Sequence, residues 1–110
     1  MNRMSNLILL ASAILALAGN AGAQEMGVPA KGAQVARMVC AECHAVAPGD
    51  ARSPNRNAPS FSTVAASGGM TSTALRVWLQ TPHPTMPNIQ LNAEDKSDVI
   101  AYILSLKRGG

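Results

Sequence analysis

The chain has 110 residues, 47% of them apolar and 14% charged, which limits it to one globular core and excludes a disordered or polytopic membrane protein. A formal charge of +3, scattered along the chain with no basic run interleaved with aromatics, excludes a nucleic-acid-binding surface. Aromatic residues make up only 3%, so Phe61, Trp78 and Tyr102 are the only large rings available, and the core needs filling from elsewhere.

Residues 1–6 carry Arg3 and no acid, residues 7–18 (LILLASAILALA) form an apolar run, and Ala21-Gly22-Ala23 has the small-x-small pattern of a cleavage site. This predicts a secretory signal peptide over 1–23, cut after Ala23, followed by a single domain over 24–110. The run is shorter than the ~20 apolar residues that a spanning helix needs, so no membrane span is expected after cleavage. Export to the periplasm puts Cys40 and Cys43 in an oxidising compartment, where they pair or are consumed by another covalent bond.

Residues 24–30, with Gly27 and Pro29, read as a short flexible lead. Residues 31–43 contain no Gly or Pro after Gly32 and place Val35, Met38 and Val39 at helical spacing, predicting an amphipathic helix that ends near Cys43. Pro48, Gly49, Pro54 and Pro59 mark 47–59 as a loop. Ser60 is placed to cap a short helix over 60–66, broken by Ser67-Gly68-Gly69. Thr71 or Ser72 caps a further amphipathic segment over 73–80, with Leu75, Trp78 and Leu79 on one face and Pro82 as its stop. Pro82, Pro84 and Pro87 exclude a helix from 81–91. Asn92, with Asp95 three residues on, forms a capping arrangement for the last helix. There Val99, Tyr102, Ile103 and Leu106 make one stripe, Glu94, Asp95, Lys96 and Asp98 lie in the first turns, and the helix ends before Gly109-Gly110. No alternating run reads as a strand, so the expected class is all-α, three or four helices joined by long loops. Loops of that length need hydrogen-bond partners and something to pack against.

Cys40-Ala41-Glu42-Cys43-His44 meets both needs. On a helical turn, positions i, i+3 and i+4 share a face, so both thiols and the imidazole address one planar object. The thiols are spaced to add across two haem vinyl groups as thioethers while His44 approaches the iron, and Cys-x-x-Cys-His is the attachment signature for c-type haem. Three other readings use the same residues. A thioredoxin-like pair follows a strand, and none is readable here. A structural zinc site would have only His83 and carboxylates to complete it, and a plain disulfide is open to any exported chain. Haem is preferred because motif, export signal and ring-poor core agree. Its apolar surface and two thioether bonds supply the staple that a small domain requires.

Gly32 stands eight residues before Cys40, Pro59 lies in the loop after the signature, Met86-Pro87 lies near the C-terminus, and Ile100-Ala101-Tyr102-Ile103-Leu104 closes the chain. With these marks in order, the sequence resembles a small monohaem class I cytochrome c of bacterial type across 24–110. The resemblance implies the cytochrome c-like fold around one covalent haem c with its iron. It also implies that Gly32 permits a close crossing of the first and last helices, with Tyr102 at the contact, and that the Pro59 carbonyl accepts a hydrogen bond from His44 Nδ1. Ala36 stands where the family often has an aromatic, and Ala58 where many members have Gly.

Met26, Met38, Met70 and Met86 lie beyond the signal peptide. Met26 is in the lead and Met38 is on a helix side turned away from the far haem face. Met86 lies in His83-Pro84-Thr85-Met86-Pro87, where the prolines stiffen a loop that holds a thioether at low entropic cost, and it matches the family's Met-Pro. Met70 reads as a core filler. His83 competes as a ligand and otherwise reads as an exposed loop residue. Axial His44 and Met86 would raise the reduction potential relative to two imidazoles and leave the iron no vacant position. The expected function is therefore a periplasmic one-electron carrier, not an enzyme, between redox partner proteins: a reductase donor and an oxidase or dehydrogenase. The alternative is an electron-transfer haem subunit of a periplasmic dehydrogenase or oxidase complex. Arg52, Arg56 and Trp78 are candidates to hydrogen-bond the propionates, the plainer readings being solvated arginines and a core tryptophan.

Overall fold

Pro29 opens the first helix, α1 (Pro29–Val39), instead of preceding it. A first-turn proline loses nothing by lacking an N–H and has its φ already set, so the helix starts earlier than the apolar pattern indicates. The structure is a computed structural model and describes residues 26–108; the expected signal peptide lies outside the described residues. The helix also ends earlier than expected. Cys40–Glu42 tighten into a 3-10 turn, with the N–H groups of Cys43 and His44 both donating to the Cys40 carbonyl, at 3.1 and 2.9 Å.

The end of the lead is not loose either. The Val28 N–H donates to Asp98 Oδ1 at 2.7 Å, and Gly27 sits so close to the Ser97 and Asp98 backbone that a Cβ would overlap it. Asp98, placed by the sequence among the polar first turns of the last helix, is buried at 3% exposure.

Three caps form as their sequences indicate. Ser60 Oγ accepts the Thr63 N–H at 3.1 Å, starting α2 (Phe61–Ala66). Thr71, not Ser72, caps α3 (Ser72–Gln80), its Oγ1 accepting the Ala74 N–H at 3.1 Å. Asn92 Oδ1 accepts the Asp95 N–H at 2.7 Å and starts α4 (Ala93–Ser105), while Asn92 Nδ2 donates back to Asp95 Oδ2 at 3.1 Å. A 3-10 turn, Leu106–Arg108, follows. No strand occurs among the described residues, where one isolated bridge pairs His83 with Met86, and the architecture is all-α as expected.

The core is the crossing of α1 over α4. A Cβ on Gly32 would overlap the Asp98 carbonyl and crowd Tyr102 Cβ, so only glycine lets the two backbones approach this closely. Ala36, one turn on, and Val99 are both 0% exposed. Helices α2 and α3 pack against α4 and add Phe61, Ala65 and Leu75 to the same cluster. Tyr102 OH donates to the Val46 carbonyl at 2.6 Å, tying α4 to the chain just past His44.

Candidate functional site

The tightened turn after α1 places Cys40, Cys43 and His44, all half-buried, on the wall of a cavity of about 500 Å³. The loop after it is held in place. Ser53 Oγ accepts the Ala45 N–H at 3.0 Å, and the Asn55 N–H donates to the Cys43 carbonyl at 3.1 Å. The loop therefore returns beside the pentapeptide, and the Phe61 N–H closes onto the Ala45 carbonyl at 2.9 Å.

That return brings Pro59 to His44. Nδ1 lies 2.6 Å from the Pro59 carbonyl oxygen, which only accepts, so Nδ1 is the donor and Nε2 keeps the lone pair of the neutral ring. The Phe61 ring stands 5.5 Å from the imidazole, centroid to centroid, and tilted by 49°. The sequence gave no notice of this contact except the nearness of Phe61 to Pro59.

The far end of the chain completes the cavity. Val64, Leu75, Leu79, Leu91, Val99 and Ile103 make its walls largely apolar, and Met70 and Met86 both line it. Met70 packs against the core cluster and Met86 does not. Met26 and Met38 are 80% and 82% exposed, remote from any such role.

Several sequence expectations change here. His83 is half-buried and lines the cavity, so it is not simply a loop residue in solvent. Trp78 is no core residue: it is 56% exposed at the cavity rim, edge-on to His83 at 4.9 Å. Arg52 and Arg56 are exposed and do not line the cavity.

The chemistry of the donor set separates the competing readings. Burial pushes the Cys40 thiol up to about 11, the opposite of the lowered thiol that a thioredoxin-like pair needs. The two cysteines are free thiols, not a disulfide. Among the described residues no three His, Cys, Asp or Glu side chains cluster in a way that would hold a metal ion, which leaves zinc without a ligand set. A porphyrin brings its own four nitrogens and asks only for axial donors, an apolar slot and, for covalent attachment, two thiols. The cavity offers all of these, so its residues fit haem c.

Comparison with known proteins agrees. A family model for cytochrome c matches residues 29–107. The chain is 36% identical over 94 residues to cytochrome c-552 of Bradyrhizobium diazoefficiens, a match covering 86% of this chain and 89% of that protein. No solved structure matches it significantly. The family match runs from the first residue of α1 into the last 3-10 turn and so takes in the whole cavity; the chain belongs to the cytochrome c family, electron-carrying proteins with covalent haem c and its iron.

Proposed function

We propose that this chain is a periplasmic one-electron carrier whose haem iron is held by His44 and Met86, with Cys40 and Cys43 as thioether anchors. The observation that carries this is the meeting of His44 and Met86 in one apolar cavity, with His44 Nδ1 already committed to the Pro59 carbonyl. That hydrogen bond fixes the ring's tautomer and orientation and raises the basicity of Nε2. When bound, haem c supplies the one-electron Fe(III)/Fe(II) couple. The apolar walls keep water out and disfavour added positive charge, which together with a soft thioether donor favours the reduced state.

Two axial side chains leave no position for a substrate, which supports a carrier over an enzyme. A permanent haem subunit would bury a broad apolar face, whereas Val77 and Trp78 form an exposed step of two adjacent residues on α3, smaller than such interfaces use. No described helix is long and apolar enough to cross a membrane. Export itself rests on the signal-peptide pattern in 1–23.

The test is the absorption spectrum of the holoprotein in both oxidation states. Wild type should show the weak far-red band of ferric thioether ligation, and Met86→Ala should lose it. Its absence from wild type, or ready binding of carbon monoxide by the reduced form, would remove Met86 from the iron and the carrier reading with it.

A further inference from the structure

Met86 is held by more than its neighbouring prolines. His83 opens a β-turn with Pro84 in the second position, closed by the Met86 N–H donating to the His83 carbonyl at 3.2 Å. The His83 side chain is itself fixed at two points. Nδ1 lies 3.0 Å from the Thr81 carbonyl, an acceptor only, so Nδ1 donates. The ring meets Trp78 edge-on, with planes at 90° and centroids 4.9 Å apart. Thr81 is the C-terminal cap of α3, its N–H donating to the Val77 carbonyl at 2.9 Å. An unbroken set of contacts therefore runs from α3, through Thr81 and Trp78, into His83 and on to the Met86 backbone. Pro82, Pro84 and Pro87 remove backbone donors from this segment, so the side-chain hydrogen bond of His83 does work the backbone is unable to do.

We propose that His83 is the positioning residue for Met86: α3 holds its ring, its carbonyl holds the Met86 N–H, and the thioether is thereby presented to the cavity in one place. The proposal rests on Met86 being the axial ligand. His83 exchanges no proton or electron in this role. It sets the free energy needed to swing Met86 away from the iron.

That free energy is read by added imidazole, which binds ferric iron only as the thioether leaves. In the holoprotein, His83→Ala is expected to bind imidazole about fivefold more tightly than wild type, the worth of roughly one hydrogen bond. His83→Asn keeps a short-armed donor for the Thr81 carbonyl and should return most of the way to the wild-type affinity. An imidazole affinity in His83→Ala equal to wild type overturns the proposal, and so does a His83→Asn no closer to wild type than the alanine variant. Met86→Ala is titrated alongside: if it keeps both the far-red band and the wild-type imidazole affinity, the ligand assignment fails, independently of what the His83 variants show.

Discussion

The Tyr102 hydroxyl reaches from the last helix to the Val46 carbonyl, two residues beyond His44, in a buried hydrogen bond of 2.6 Å. Tyr102→Phe leaves that carbonyl without a partner and is expected to cost about 1–3 kcal/mol, read from the denaturant midpoint. Burial also raises the phenol above its ordinary 10.0, with Arg37 pulling weakly the other way. As pH rises the unfolded chain loses this proton first. The stability tied to the neutral phenol is therefore full below pH 10 and falls as pH climbs through the raised value. The midpoints of wild type and Tyr102→Phe should converge in that alkaline window, and parallel curves would show that the phenol does not titrate in place. Asp98 plays a similar part on the other side of α4, as the acceptor for the Val28 N–H. Asp98→Ala should cost about 1–3 kcal/mol, and Asp98→Asn, which keeps an acceptor oxygen, distinctly less. Equal losses in the two would mean that the carboxylate acts by something other than this bond.

At the scale of elements, the crossing of α1 and α4 admits no side chain at Gly32, where a Cβ would overlap the Asp98 carbonyl. Gly32→Ala has to push the helices apart along their whole contact, at about 3 kcal/mol or more. A thermal midpoint within a degree or two of wild type would show that the crossing is looser than it looks. What could be read from sequence here was what lies close along the chain. Ser60, Thr71 and Asn92 cap their helices through bonds to residues three positions on, and Cys40, Cys43 and His44 form one contiguous signature. Asp98 was misread because its partner is Val28, 70 positions away, and a carboxylate in a first helical turn ordinarily faces water. Pro29 was read as a breaker although the same residue is a good helix opener. Trp78 has helical spacing to the buried Leu75, yet it lies on the shoulder of that stripe, where the rim of the cavity begins. The contacts of His44 with Phe61 and of His83 with Trp78 join separate elements and left no periodic trace.

The whole molecule is organised around a space that its own side chains do not fill. At about 24 cal/mol per Å³, an empty cavity costs on the order of 10 kcal/mol at this one's volume of about 500 Å³. A domain of this length has about 4–12 kcal/mol of stability in all, at roughly 0.05–0.15 kcal/mol per residue. Water entering the space would not recover the loss, because the walls it would wet are Leu75, Leu79, Val99 and Ile103. The α1–α4 crossing, with Gly32, Ala36, Val99 and Tyr102, does not depend on the cavity for its contacts, whereas α2, α3 and the Met86 segment close around it. A Cys40→Ala/Cys43→Ala chain without bound haem should therefore keep much of its helical far-UV signal, lose the near-UV signal of Trp78 and Tyr102, and melt without a sharp transition. Cooperative melting of that haem-free chain, with native near-UV dichroism, would show that the protein fold stands without its prosthetic group and that the ring-poor core is sufficient.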